Sequence, residues 1–375
     1  MAGPLKDSVN LQQTEGQKQT TLSPTGGYVN QHNMHGLHSL SDNICIIGFI
    51  FPDRPQKICK VSTTYYCWKI VSLRSFMASY NNPPSCYLCG SISCNRIYDA
   101  IRYGLSPRPF RCDHCGFVFL YPRMTPEIEK EFYEKTYRSE YDNQNAEDLW
   151  KESLPEAKRR VLRFKEFYNK DTRLLEIGCA SGFFLSEVRE NVKTVTGLEL
   201  TKEYVKYAVG KGLDVRESLD EISDDSCDLI FMFHVLEHID DPVKYLKEVK
   251  KKLSSSGNLI IEVPNIDDIL VSTYKIKPHL DFYWEIAHNY YFSKTTLGRV
   301  LEKAGYQYEI IPLQRYDLSN HIYWMITGKP GGQGHFNVVF SPSLLEEYEK
   351  NLKERFLCDT IYAIAKNIGA APDIK

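Results

Sequence analysis

A chain of 375 residues is long enough for one large domain with accessories or for two domains, and a formal charge of -2 with 25% charged residues leaves no overall basic field. Nucleic acid is therefore not the expected partner. A spanning helix needs roughly 18–20 apolar residues, and the longest candidate run, Ile44–Phe51, has eight, so no membrane span is expected. The N-terminus has no charged-then-apolar-then-small leader pattern. Eleven cysteines with paired spacing suit metal in a reducing compartment better than a disulfide framework, and a cytoplasmic location is the expectation.

Residues 1–80 are rich in Gln, Ser, Thr, Asn and His and show no sustained helix or strand period, which predicts a low-order extension. His32, His35 and His38 recur at three-residue spacing, but Gly36 and polar neighbours weaken a helix there, so they are expected to be solvated. Residues 81–125 hold Cys86-Tyr-Leu-Cys89, then twenty-two residues, then Cys112-Asp-His-Cys115-Gly116. Each pair can sit on a knuckle turn, and two knuckles complete the closed four-cysteine zinc geometry. That metal would be structural, and in so small a segment it would supply much of the folding free energy. Cys94 and His114 are read as bystanders, since the two pairs already saturate the metal.

A helical lead-in is expected over residues 126–165. In it Tyr133, Tyr137 and Tyr141 share one stripe, and Leu154, Ala157, Val161 and Phe164 share another that runs on to Tyr168 just beyond it. From 166 to 330 strands alternate with helices, as in a Rossmann-like, mostly parallel seven-stranded α/β sheet with helices on both faces. Leu174–Gly178 is the first strand. It runs into Cys179-Ala180-Ser181-Gly182, a turn between two glycines that reads as a small-molecule nest. Seventeen residues beyond Gly182, at the end of the next apolar run Thr194–Leu198, Glu199 can accept both hydroxyls of a ribose, so the ligand is expected to contain a nucleoside. Phe183 stands where a dinucleotide loop needs a small residue, and no lysine follows Gly182 as in a phosphate loop. Glu176 at the strand end favours a cationic ligand.

A helix over Lys202–Val209 and a short third strand at Leu213–Val215 follow. Asp228–Phe233 is a fourth strand, apolar enough for burial on both faces. Asp241 caps a helix with Pro242 at its first position and Val243, Leu246 and Val249 on its buried stripe. Leu259–Val263 is the fifth strand. Ser293 opens a helix closed by Gly305, and Tyr306–Pro312 with His321–Ile326 is expected to form a closing antiparallel hairpin. Residues 331–375 add a C-terminal helical segment, with a helix over Ser343–Lys353 and an apolar run Ile361–Ala365, read as a cap or a homodimer contact.

With Glu176-x-Gly178-x-x-x-Gly182, Glu199 and the strand order in place, the chain resembles the class I S-adenosylmethionine (SAM)-dependent methyltransferases over roughly residues 126–328. The resemblance implies SAM as cofactor, held by Glu176, Gly178, Cys179, Ser181, Gly182, Glu199, Leu200, Ser218, Leu219 and His234. The cysteine segment, ending Cys115-Gly-Phe-Val-Phe-Leu-Tyr-Pro122, is similar to a zinc ribbon that precedes some bacterial sugar and natural-product methyltransferases. That similarity implies a small-molecule acceptor.

Acceptor chemistry should lie at the C-terminal ends of the strands. His234, Glu237 and His238 follow the fourth strand, and either hold a divalent metal or brace the loop; bracing is the expectation. A long aromatic insertion, Tyr274–Phe292, follows the fifth. Its end, His288-Asn-Tyr-Tyr291-Phe-Ser, resembles the substrate-facing segment of sugar C-methyltransferases, but Ala287 stands where those have glutamate. Carbon methylation would then need a substitute such as Glu285, so transfer to oxygen is slightly favoured, with His288, His238 and Glu285 as candidate catalytic residues. The competing class is a binding module that keeps the cofactor and docks a partner through the ribbon.

Overall fold

The computed structural model describes residues 85–102, 107–123 and 145–367. The low-order expectation for 1–80, with His32, His35 and His38, and the tyrosine stripe at 133, 137 and 141 lie outside the described residues.

Helix α1 (Ala146–Arg163) opens on Asn145, whose side chain accepts from Asp148 N, and leads to the central sheet. Ala157 is buried on this helix, while Phe164 and Tyr168 of the expected stripe lie past its end. The sheet is formed by β4 (Arg173–Ile177), β5 (Thr194–Leu198), β6 (Asp214–Arg216), β7 (Cys227–Phe233), β8 (Leu253–Pro264), β10 (Tyr306–Leu313) and β11 (Thr360–Asn367), in the order β10-β11-β8-β7-β4-β5-β6. The five strands from β4 to β8 run parallel, and β11 is antiparallel to both neighbours.

Side chains on a strand alternate between faces, and the two apolar clusters divide accordingly. Leu174, Leu229, Phe231, Phe233 and Ile260 pack with Ala157, Phe184 and Ala208; these come from α1, α2 (Phe183–Val188) and α3 (Lys202–Gly210). Leu175, Ile230, Met232 and Ile261 pack with Leu246 and Val249 of α4 (Pro242–Lys252) and with Leu297, Val300 and Leu301 further along. Asp241 caps α4 by accepting from Lys244 N at 3.0 Å.

Past β8 come two short helices, α5 (Ile269–Ser272) and α6 (Lys277–Tyr283), then α7 (Lys294–Ala304) with a Ser293 cap and Gly305 in the left-handed conformation. The expected hairpin of Tyr306–Pro312 with His321–Ile326 is not formed. His321–Ile326 lies within helix α8 (Leu318–Thr327), where Asp317 accepts from Asn320 N at 2.9 Å and Gly328 closes the far end. The strand that pairs with β10 is β11, reached through α9 (Pro342–Glu354) and matched from Tyr306↔Asn367 to Leu313↔Thr360. The sheet thus continues past the expected boundary at 330, and the apolar run Ile361–Ala365 is a strand buried between two others.

The cysteine segment forms a second sheet with β1 (Cys94–Arg96), β2 (Arg108–Cys112) and β3 (Val118–Tyr121). Its fourth strand is β9 (Tyr290–Tyr291), contributed by the aromatic insertion.

Candidate functional site

The loop between β4 and α2 is held by its neighbours. Gly178 N and Cys179 N donate to Leu198 O at 2.8 and 3.1 Å, and Gly182 N donates to Cys179 O at 2.8 Å. Gly178 and Gly182 have φ of 73° and 83°, in the left-handed region that side chains disfavour. A Cβ at Gly178 would also come within 2.4 Å of Val235 Cγ2, and one at Gly182 within 2.5 Å of Leu213 Cδ1. Glu199 spans the loop mouth, its two carboxylate oxygens accepting from Ala180 N at 3.0 Å and Thr201 N at 2.7 Å.

Two buried polar atoms of this loop region lack protein partners, Glu176 Oε2 and Ser181 Oγ. Burial pushes the Glu176 carboxyl up to about 8, against the pull of Arg160 and with the help of Glu199. An unsatisfied buried carboxyl and hydroxyl are costly unless a ligand supplies hydrogen bonds, so these residues fit a nucleoside ligand that carries an ammonium group. Cys179 turns its thiol inward among the apolar side chains, where a Cβ on Gly197 would meet its Sγ at 2.5 Å. Leu200 is 74% exposed beside Glu199. Ser218 caps the turn containing Leu219, its Oγ accepting from Asp220 N at 3.2 Å.

His234 has φ of 56°, and its ring joins a buried network. Its Nε2 lies 3.1 Å from Glu262 Oε1 and 2.9 Å from Arg315 Nη1, and its Nδ1 lies 3.4 Å from Glu237 Oε1. Arg160 Nη2 also donates to Glu262 Oε1, at 3.1 Å, and Arg315 pairs with Asp359. Burial and Arg315 oppose a proton on His234, but Glu237 and Glu262 outweigh them and hold its pKa above the ordinary value. The spacing of His234, Glu237 and His238 pointed to this cluster. Glu262, Arg160, Arg315 and Asp359 were missed, because their contacts join distant parts of the chain and leave no local pattern.

Glu237 and His238 lie on a single turn, Leu236–His238, and meet His288 from the insertion. One candidate ligand atom from each lies within 4.8 Å of the other two, so the three could hold a metal ion. His238 Nδ1 is 2.9 Å from Ala287 O, and the two histidine rings meet edge to face at 4.8 Å. Burial lowers both histidines to about 4, so each imidazole is neutral at neutral pH. Glu237 Oε2 and His288 Nδ1 are buried without a hydrogen-bond partner, and Glu237 Oε1 has the 3.4 Å contact with His234 Nδ1. Glu285 Oε2 lies 4.0 Å from His288 Nε2 and 3.8 Å from Arg102 Nη1.

The four expected thiols converge. Cys86 Sγ lies 3.5 Å from Cys115 Sγ, and Cys89 Sγ lies 3.5 Å from Cys112 Sγ. Two matching turns produce this, Gly90 N donating to Cys86 O and Gly116 N to Cys112 O, each at 2.8 Å. All four sulfurs lie within 4.8 Å of one another, a donor set that can bind a metal ion and suits zinc. Cys94 and His114 stand outside this set.

Residues 149–309 match a family described as a methyltransferase domain. An uncharacterized protein of Methanocaldococcus jannaschii is 27% identical over 46% of this chain and 79% of its own. A tRNA U34 carboxymethyltransferase of Sulfurimonas denitrificans is 31% identical over 30% of this chain, and a ubiquinone biosynthesis O-methyltransferase of Idiomarina loihiensis 26% over 25%. The chain spans only 40% and 42% of those two enzymes. Among solved structures, a SAM-dependent methyltransferase from Archaeoglobus fulgidus is similar over 57% of this chain and 93% of its own, at 21% identity and a TM-score of 0.41. Sheet order and glycine loop are those of the class I SAM-methyltransferase fold, and residues 149–309 within it match the methyltransferase-domain family.

Proposed function

We propose that the protein methylates a hydroxyl of a small metabolite, a sugar or a lipid- or polyketide-like compound, with SAM bound by the Gly178–Gly182 loop and Glu199. The observation that carries this reading is the neutral pair His238 and His288 beside the buried Glu237 carboxylate, at the C-terminal edge of the parallel strands. A bound SAM supplies an electrophilic methyl on its sulfonium, and the protein's contribution is alignment and removal of one proton. His288 Nδ1 is buried without a partner and can accept the hydroxyl proton as the oxygen bonds to the methyl group and the carbon–sulfur bond breaks. Glu237 then stabilises the imidazolium. His238, held by Ala287 O, orients the pair. Glu285, beside His288 and Arg102, is the carboxylate available for a carbon acid, and its position keeps carbon methylation as the lesser alternative.

In the ribbon the exposed Arg96 is paired with Asp99 at 2.9 Å, which makes it a weaker phosphate contact. No helix among the described residues is long and apolar enough to cross a membrane. The test is transfer from labelled SAM to a metabolite extract. His288→Ala should lower turnover by about 10²–10⁴-fold with SAM affinity nearly constant. An unchanged rate would remove His288 from the chemistry. Sensitivity to chelators matched by a complete loss in His238→Ala would replace the base by a metal at Glu237, His238 and His288.

A further inference from the structure

We propose that the four-cysteine ribbon is part of the acceptor site: its metal-ordered hairpin holds the two histidine-bearing segments together, with Arg123 and Tyr290 as positioning residues. This rests on the reading that His238 and His288 face the acceptor.

Three sets of contacts carry the inference. In the backbone, β9 begins two residues after His288 and completes the ribbon sheet, pairing Val118 with Tyr291 and Phe119 with Tyr290, while Leu120 N donates to Asn289 O at 3.1 Å. A two-residue strand has no stability of its own, so its geometry is set by β3. In the polar contacts, Arg123 Nη1 donates to Asp240 Oδ1 at 2.6 Å and its Nη2 bonds the Tyr290 hydroxyl, which donates to Asp240 O at 2.8 Å. Tyr87, inside the first cysteine knuckle, bonds the Asp241 carboxylate and accepts from Val243 N at 3.1 Å. In the apolar contacts, Phe117 stacks on Tyr290 at 5.1 Å. Cys86, Leu88 and Phe119 belong to the same buried cluster as Met232 and Leu297 of the catalytic domain.

The ribbon thus touches the loop after β7, which bears His238, and the end of the insertion, which bears His288. The two segments also bond each other, His238 to Ala287 O and Asn289 Nδ2 to His238 O at 2.8 Å. The cofactor loop takes its bonds from Leu198 and Glu199 instead. A hairpin this small depends on metal for its order, so metal loss should loosen the acceptor side and leave the SAM side intact.

Hydrogen–deuterium exchange on the full chain tests this without any acceptor, so failure of the coupling and failure of the methyl-transfer reading are seen separately. The native protein should contain one zinc per chain. In Cys112→Ser, amides of residues 236–241 and 285–292 should exchange at least about tenfold faster, with SAM affinity within about twofold of wild type. Arg123→Ala should keep the zinc and still speed exchange in 236–241, and Arg123→Lys, which retains the charge opposite Asp240, should restore part of the protection. Unchanged exchange in both segments overturns the proposal. So does loss of SAM binding in parallel with the zinc, because the ribbon would then support the whole fold and not the acceptor side.

Discussion

Glu176 shows how one buried side chain can tie cofactor binding to pH. It is 2% exposed, and burial raises its carboxyl from an ordinary 4.5 to about 8. The folded chain therefore binds a proton that the unfolded chain lacks between these values, and stability contributed by this group falls as pH rises through that window. A ligand ammonium placed at the unpartnered Oε2 favours the carboxylate, so binding should release a proton. SAM affinity should accordingly rise with pH below about 8, by at most about tenfold per pH unit. Calorimetry in buffers of different ionisation enthalpy would detect the proton, and a Glu176→Gln variant should abolish both the release and the slope. A pH-independent affinity in the native protein would place the ligand away from Glu176. Glu199 makes a simpler prediction. Glu199→Ala should weaken SAM binding about ten- to a hundredfold, the value of a charge-assisted pair of about 1.5–3 kcal/mol. Since Glu199 also anchors Ala180 N and Thr201 N, Glu199→Gln separates the two roles by keeping one acceptor for the loop. If alanine binds SAM as well as wild type, the ribose assignment is wrong.

At the scale of elements, legibility follows how local the cause of each element is. Strands β4, β7 and the second half of β8 were readable because strands buried on both faces are largely apolar, and Gly178 marks the end of β4, whereas β5 and β6 are more polar and partly exposed. The cysteine knuckles were readable for the same reason, each being a four-residue unit. The helix at Leu318–Thr327 carried its own signals, Asp317 before it and Gly328 after it, but a run of aromatic and β-branched residues obscured them. Strand β9 had no signal, since two tyrosines become a strand only when β3 lies beside them. Arg123 and Tyr290 went unread on the same ground: their partners are 117 residues away at Asp240, for the arginine, and 50 away for the tyrosine.

The whole molecule depends on a strand that the sequence left at the periphery. β11 lies between β8 and β10, matched with β8 from Thr360↔Pro264 to Lys366↔Asn258, and Thr360, Ile361, Ala363 and Ala365 on it are fully buried. The chain just before it also anchors the segment that follows β8, because Asn265, the first residue after β8, donates to Phe356 O at 2.9 Å and to Cys358 O at 2.8 Å. A chain ending at Pro330 would expose the inner edges of both β8 and β10, which present unpaired backbone groups and apolar side chains to water. Such a chain should be insoluble or bind no SAM, although the glycine loop and Glu199 are retained. A chain ending at Asn367 keeps the strand and should match the full chain in soluble yield, cooperative unfolding and SAM affinity. If the shorter chain folds and binds SAM, β11 is an accessory and the catalytic domain closes on five parallel strands alone.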